Sequence, residues 1–174
     1  VSLNVIKEFV DKKKTWIKNK IELINQERVL PKKFEEGEDF IYEGNAYKLQ
    51  ISDGKDISIS SVLHFPKKLL PEARQHLIVW YKKQAFTKIV ERVDHYANIT
   101  RLEYKAVKLT NAERRWGSCS CKGSLNISWR LIMAPPDILD YIIVHELIHL
   151  IERNHSKQFW DRVQTILPNY KEQE

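Results

Sequence analysis

Cysteine is scarce in this 174-residue sequence, which contains only Cys119 and Cys121. Two cysteines separated by one residue on a predicted strand are too close for ordinary disulfide geometry, so we expect a reducing, cytoplasmic location. A lone Cys-x-Cys pair also supplies too few ligands for a structural zinc site. The sequence therefore argues against a fold stabilised by disulfides or by cysteine-bound metal.

Long hydrophobic runs are absent as well. No apolar stretch reaches the roughly 18 to 20 residues that a membrane span requires, so we expect no membrane partner. Residues 1–4 include no initiator methionine and do not begin a signal peptide, and we therefore expect a trimmed start. With 43% hydrophobic and 30% charged residues, the chain suits one globular domain with its own core. Nothing in the sequence indicates an oligomeric state.

Acidic residues are fewer than basic ones, 23 against 29, which gives a formal net charge of +6. A positive charge permits contact with nucleic acid, because lysines and arginines replace condensed counterions. The basic residues are spread along the chain, however, in short clusters typical of solvated helix faces and loops. Charge is therefore the only feature that supports a nucleic-acid partner.

The apolar pattern of the first hundred residues predicts two long helices and a small sheet between them. Residues 5–30 carry apolar positions at helical spacing among lysines. Residues 38–65 contain short apolar runs and glycine turns at 43–45 and 53–54, which predict a small antiparallel sheet. Residues 71–98 begin with a proline and carry one apolar stripe, which predicts the second helix.

The second half of the chain predicts strands followed by a buried helix. Residues 104–109 and 126–132 are strand-like, and Lys122-Gly123 is a predicted hairpin turn. Residues 138–151 are apolar on nearly every side, which indicates a buried helix, and a shorter helix is predicted at 157–167. Six aromatic residues along the chain are predicted to belong to the core: Trp80, Tyr81, Phe86, Trp129, Phe159 and Trp160.

The buried helix carries the segment His145-Glu146-Leu147-Ile148-His149. Positions four apart lie on one helix face, so His145 and His149 can share a metal ion. Glu146 is offset around the helix and reaches a metal-bound water, as a general base should. A zinc ion with its water most simply compensates the cost of burying these polar groups. The sequence therefore predicts a zinc site, although this five-residue pattern also occurs by chance.

Three residues compete to be the third ligand. His155 reaches the same ion only if the helix ends and the chain turns back near 153–154, where asparagine tolerates a left-handed conformation. Glu152 would leave the ligands nearly collinear along one helix, so we expect it to orient a histidine or to form a salt bridge. Glu172 lies in a charged tail and is a poor candidate. The sequence favours His155.

Four segments carry a resemblance to a known family. They are RWGSCS at 115–120, LNISWRLIMAP at 125–135, DYIIVHELIHL at 140–150, and NHS at 154–156 followed by Phe159-Trp160. Together they resemble the YgjP-like metallopeptidases, described as predicted metal-dependent hydrolases and similar to the SprT-like zincins. Weaker matches at Trp16-Ile17, Trp80-Tyr81 and 167–170 extend the resemblance over nearly the whole chain. Members usually carry a further β-rich segment before the first helix, which agrees with a trimmed start.

The resemblance implies an α+β fold with a zincin-like core, in which a mixed or antiparallel sheet packs on the HExxH helix, together with long N-terminal helices. It implies one domain over 1–174, with the first helix and small sheet up to about residue 70 and the zincin core from about 71. The implied zinc ligands are His145, His149 and His155. The implied catalytic base is Glu146, and the implied activity is zinc-dependent hydrolysis of a peptide or protein.

Substrate contacts and two alternative functions stay open. In peptidases of this type an extended peptide commonly pairs with an edge strand, here either the 126–132 strand or the 116–120 segment. Arg115 and Trp116 either hold the strand against the helix, which we favour, or contact substrate. A SprT-like protease that cleaves DNA-attached proteins is supported by charge alone. A metal-binding domain without hydrolase activity is the other alternative, and Glu146 argues against it, because a structural zinc site does not need an acid.

Overall fold

In the computed structural model, which describes residues 32–173, two small sheets and three helices follow one another along the chain. The strands are β1 (Asp39–Tyr42), β2 (Asn45–Ser52), β3 (Ser58–Ile59), β4 (Leu63–Pro66), β5 (Ala106–Thr110), β6 (Gly117–Cys119) and β7 (Ser124–Ser128). The helices are α1 (Ala73–Thr100), α2 (Pro136–Ile148) and α3 (Lys157–Ile166), and short 3-10 helices cover Lys67–Glu72, Trp129–Met133 and Tyr170–Glu172. Of the helices described, none has the length and apolar character that a membrane crossing needs. The helix predicted at 5–30 lies outside the described residues.

The first sheet has the strand order β1-β2-β4-β3. β1 pairs with β2 antiparallel, as predicted, but β2 and β4 are parallel, so the prediction of a purely antiparallel sheet is wrong. A tight turn at 53–54 would have kept successive strands adjacent. Instead, residues 53–57 carry the chain past the position that β4 occupies, and the two-residue β3 pairs with the far side of β4.

The second sheet is mixed and has the order β5-β7-β6. β5 and β7 are parallel, whereas β6 and β7 form an antiparallel hairpin. Its predicted turn is confirmed: the Gly123 N–H donates to the Ser120 carbonyl at 3.0 Å, and Gly123 has a φ of +78°. The strand predicted at 126–132 is shorter than expected, because the chain enters a 3-10 helix after Ser128. The buried Trp129 begins that helix and donates from Nε1 to Asn111 Oδ1 at 3.1 Å.

The 28-residue α1 confirms the second predicted long helix. It buries one residue in every four along a single stripe: Leu77, Tyr81, Ala85, Ile89 and Val93. Phe86 lies off this stripe and is 49% exposed, so its predicted place in the core is wrong. The Tyr81 hydroxyl donates to the Ile41 carbonyl at 2.7 Å and so joins α1 to the first sheet. The helix ends at Arg101, whose φ of 55° lies in the left-handed region and whose N–H donates to the Ala97 carbonyl.

α2 is the most deeply buried helix, and it contacts α1, α3 and the second sheet. A two-pronged ion pair joins it to α1: Arg92 Nε and Nη2 lie 2.6 and 2.7 Å from the two oxygens of Asp140. The Tyr96 hydroxyl donates to the same carboxylate at 3.1 Å. Planar pairs of this kind fix orientation as well as distance. The helix that carries the histidine motif is therefore held against its neighbours just before the motif begins.

Candidate metal centre

The three predicted histidines lie together. His145 is on α2, His149 is the residue that caps its C-terminus, and His155 is in the loop before α3. His155 Nε2 is 3.0 Å from His145 Nε2 and 3.1 Å from His149 Nε2. Nitrogen ligands about 2.0 to 2.1 Å from a tetrahedral zinc ion are about 3.3 Å apart, close to this spacing. Across residues 32–173, these histidines form the one cluster of three or more side chains able to hold a metal ion.

α2 ends earlier than the sequence suggested. The helix stops at Ile148, and the N–H groups of Leu150 and Ile151 each donate to the carbonyl three residues earlier at 3.0 Å. Such 3-10 bonds satisfy the last carbonyls of a helix, so no left-handed residue is needed. The left-handed conformation expected at Asn154 is absent, but the chain does bend at that residue, and the Ser156 N–H donates to the Asn154 carbonyl at 2.8 Å. Although the helix ends early, the residues that follow it bring His155 back to His145 and His149.

Glu152 supports the cluster from outside it. Its backbone carbonyl lies 2.9 Å from His149 Nδ1, which places the proton on Nδ1 and leaves the Nε2 lone pair facing the other histidines. Its side chain forms a salt bridge of 3.2 Å with Arg162 and is not part of the metal cluster. Both roles expected for Glu152 are present, because its backbone orients His149 and its side chain forms a salt bridge. Glu172 lies outside the cluster too.

The surroundings of His145 favour a neutral imidazole. Burial, followed by the nearby His149 and His155, lowers the pKa of His145 to about 4. Burial also lowers the pKa of His149. Within residues 32–173, the buried Nδ1 of His145 has no hydrogen-bond partner. Three imidazoles with converging Nε2 atoms form a suitable donor set for a divalent metal ion, and the lowered pKa values of His145 and His149 favour the unprotonated nitrogen that metal ligation needs.

Phe159 forms the floor of this cluster. It is fully buried, as its predicted place in the core requires, and its ring centroid lies 4.7 to 4.9 Å from those of all three histidines. Ser156 caps α3 by accepting from the Phe159 N–H, which fixes the first turn of that helix below the histidines. The sequence did not reveal this contact. Its only sequence signal is the four-residue spacing between His155 and Phe159.

Glu146 is buried beside the histidines, with 6% of its surface exposed. Burial raises the pKa of Glu146 to about 7, although a hydrogen bond from the Cys119 backbone and the charge of Arg115 partly oppose the shift. Its Oε2 has no hydrogen-bond partner in the described part of the chain. A carboxyl group with a near-neutral pKa can exchange a proton in either direction.

Strand β6 lies directly against Glu146. A Cβ added to Gly117 would be 2.6 Å from both Cγ and Oε1 of Glu146, a distance that only a glycine avoids. β6 is an edge strand, whereas β7 is paired on both sides, so the 126–132 strand cannot be the free edge. Of the two edges predicted from sequence, the structure therefore leaves only the segment at 116–120.

Trp116 does not have the structural role that the sequence favoured for its side chain. That side chain is 52% exposed, and only its backbone carbonyl is tied to the sheet, where it accepts from the Ser128 N–H at 2.8 Å. Arg115 is exposed as well. The reason is the strand alternation: Gly117 faces Glu146, so its neighbour points to the other side of the sheet. The Trp116 side chain therefore does not hold β6 against α2, whereas the charge of Arg115 acts on Glu146 of that helix.

Arg153 joins the histidine loop to the β6–β7 turn. Its Nη1 donates to the Ser120 carbonyl at 3.3 Å, and its Nη2 donates to the Cys121 carbonyl at 3.5 Å. The same guanidinium lies 3.9 Å from the sulfur of Cys119. Burial nevertheless raises the pKa of the Cys119 thiol, and both cysteines are free, as expected. The two cysteines therefore lie in the strand and turn that Arg153 contacts, and they are not part of the histidine cluster.

The sequence matches a family described as YgjP-like, metallopeptidase domain, over residues 1–174. Among solved structures, the chain is similar to the metallopeptidase zymogen abylysin from Pyrococcus abyssi, with 24% sequence identity and a TM-score of 0.46. That similarity covers 49% of this chain and 88% of the other. No curated protein matches the sequence. The family match thus spans the whole chain and includes all three histidines.

Proposed function

The chain belongs to the YgjP-like metallopeptidase family, and from that premise we propose that it is a zinc peptidase whose metal is held by His145, His149 and His155. Family membership makes it a metal-dependent peptidase that acts on peptide or protein substrates. The convergence of three Nε2 atoms beside a buried glutamate supports the finer assignment. We also propose a zincin-type core from about residue 71, within one domain over 1–174.

Zinc is the metal that suits these ligands best. Imidazole nitrogens also bind copper, nickel and iron, so the ligand type alone does not decide. Three histidines leave a fourth tetrahedral position for water or substrate, which is typical of catalytic zinc sites. When bound, the ion would lower the pKa of a water molecule and polarise the substrate carbonyl. The motif with a glutamate beside the first histidine is typical of zinc peptidases.

Glu146 is the proposed general base. Its pKa of about 7 allows the carboxylate to take a proton from the attacking water and then give it to the departing amine. The close contact with Gly117 and the hydrogen bond from the Cys119 backbone hold the side chain in one orientation. A buried, oriented carboxylate of this kind favours an enzyme over a metal-binding domain without activity.

The free edge of β6 is the proposed place for the substrate backbone. An extended peptide can add to an exposed sheet edge through main-chain hydrogen bonds. The Cys119 backbone of this strand already donates to Glu146, so a peptide paired along the rest of the edge would run past the carboxylate. The exposed Trp116 and Arg115 are then placed at the start of that edge, where contact with substrate becomes their more natural role. A DNA-associated protease stays an alternative supported by the charge of +6 alone.

Metal removal provides the first test. We expect one zinc per chain, loss of peptide cleavage after treatment with a chelator, and recovery when zinc is returned, because all three ligands come from this chain. Metal analysis and a profile of cleaved peptides would measure both. Adding DNA over a range of salt concentrations separates the alternative, which requires stimulation that salt abolishes. Full cleavage by metal-free protein would contradict the proposal.

A second prediction concerns Gly117→Ala. The added methyl group would meet Glu146 at 2.6 Å, so we expect the carboxylate to shift and peptide cleavage to fall by at least about tenfold, with a stability loss of about 1–3 kcal/mol from overpacking. Gly54→Ala is the matched control, because its methyl group would meet only the flexible Ser52 hydroxyl at 3.3 Å. Cleavage rates and thermal unfolding should be compared for both. Parental cleavage by the Gly117 variant would show that the contact does not position Glu146.

A further inference from the structure

His155 is held differently from the other two histidines. His149 has a hydrogen bond to the Glu152 carbonyl, and His145 is enclosed on α2 by buried aromatic rings. His155 is exposed and lies in a loop. Among the described residues, its hydrogen-bond contacts are those with the Nε2 atoms of the other histidines. Ring contacts must therefore orient His155: Phe159 meets its ring edge-on at 4.8 Å, and Trp160 stacks on it.

The contact of His155 with Trp160 is the first in a longer stack of aromatic rings. His155 stacks on Trp160, with centroids 5.6 Å apart and planes inclined by 26°. Trp160 stacks in turn on Tyr170 at 5.4 Å and 13°, and Tyr170 on Tyr141 at 6.4 Å and 12°. Near-parallel rings at such separations are a favoured arrangement. The stack connects the exposed loop to the C-terminal 3-10 helix and to α2.

The two tyrosines at one end of the stack are buried, whereas His155 at the other end is exposed. Tyr141 and Tyr170 are 7% and 6% exposed, and Tyr141 also meets His145 edge-on at 5.9 Å. Trp160 is half-buried between these tyrosines and the exposed His155. A ligand whose ring is already oriented loses less conformational freedom when metal binds, so the same contacts give tighter binding.

From this arrangement we propose that Trp160 and Tyr170 are positioning residues that orient His155 for metal binding. The inference rests on the proposed zinc site, since it needs His155 to be a ligand. If this is correct, the C-terminal turn at Tyr170–Glu172 affects metal affinity although it supplies no ligand. Outer contacts of this kind commonly change metal affinity by about 10- to 100-fold.

The test measures zinc affinity by competition with a chromophoric chelator and thermal unfolding of the metal-free protein. We expect Trp160→Leu to weaken zinc binding by about 10- to 100-fold and Trp160→Phe, which keeps a ring, to recover most of it. Tyr170→Leu should weaken binding in the same direction. Trp80→Leu is the control, because Trp80 is also half-buried and packs on Tyr42 and Tyr81, away from the histidines. It should lower the unfolding temperature and leave zinc affinity unchanged.

A cycle with His155→Ala separates positioning from a general structural effect. In that background Trp160→Leu should lose most of its effect on the residual zinc affinity, because the ring that Trp160 stacks on is gone and its remaining contact with a ligand is the edge-on one with His145 at 5.9 Å. Equal losses in both backgrounds, or parental affinity in Trp160→Leu, would overturn the inference. If the leucine variant does not fold, Trp160→Met, whose flexible unbranched side chain adapts to irregular gaps without a ring, carries the same expectation. If the His155→Ala variant binds zinc as tightly as the parent protein does, the proposed zinc site itself is wrong.

Discussion

Glu146→Gln is expected to keep the metal and the fold and to lower the rate of peptide cleavage by at least about 100-fold. Glutamine has nearly the same size and shape, which matters because the backbone of Gly117 leaves no room for a larger group beside this side chain. An amide cannot take a proton from water, so the loss should fall on turnover. Glu91→Gln, an exposed change on α1, is the matched control. Zinc content, thermal unfolding and cleavage should be measured on all three proteins.

The pH dependence of stability should also change in this variant. Burial raises the pKa of Glu146 from 4.5 to about 7, so between those values the folded protein holds a proton that the unfolded chain releases. The contribution of Glu146 to the free energy of unfolding of the metal-free parent therefore falls as pH rises from about 4.5 to about 7. His145, whose pKa is lowered to about 4, contributes in the opposite sense over this range, so the measured quantity is the difference between parent and glutamine variant. The glutamine variant lacks this dependence and should be the more stable of the two above pH 7. Parental cleavage by a zinc-loaded glutamine variant would leave Glu146 without its proposed role, and another group would have to act as the base.

Local features of the chain were readable from sequence where one pattern decides the structure. The stripe of α1 repeats every four residues, and the glycine at 123 adopts the positive φ that its turn requires. The spacing of His145 and His149 needs only helix geometry to bring the two rings together. The convergence of His155 on them was also expected, and so was a bend at Asn154, although the helix ends earlier because 3-10 bonds close it directly after Ile148.

Features that depend on distant partners were not readable in this way. The parallel pairing of β2 with β4 depends on which strand occupies the neighbouring position, and the residues at 53–57 do not encode that choice locally. The contact of Gly117 with Glu146 joins positions 29 residues apart and exists only because β6 lies on α2. The stack of Trp160 on Tyr170 likewise needs the chain to return after α3. Sequence patterns identified the histidines and the glutamate of the site, whereas tertiary packing determines which residues orient them.

His149→Ala should remove both metal and activity, in contrast to Glu146→Gln. The change leaves two imidazoles in the cluster, and it also frees the Glu152 carbonyl that His149 Nδ1 contacts at 2.9 Å. We expect zinc affinity to fall by more than about 100-fold, the upper end of what losing an outer contact costs, because here a ligand itself is lost. Peptide cleavage should fall with it, since no chemistry at the site is expected without the ion.

The metal-free form of this variant should still fold, because His149 is only half-buried and burial lowers its pKa, which makes its charged form unfavourable in the folded chain. His95→Ala is the control, because His95 is exposed on α1 and lies outside the cluster. Metal analysis, a zinc competition titration and thermal unfolding with and without zinc should be run on both variants. Zinc should raise the unfolding temperature of the parent and of the His95 variant but not that of the His149 variant, since a ligand stabilises only the state that binds it. One tightly bound zinc per chain in His149→Ala would place the metal elsewhere and remove the basis for assigning Glu146 as the base.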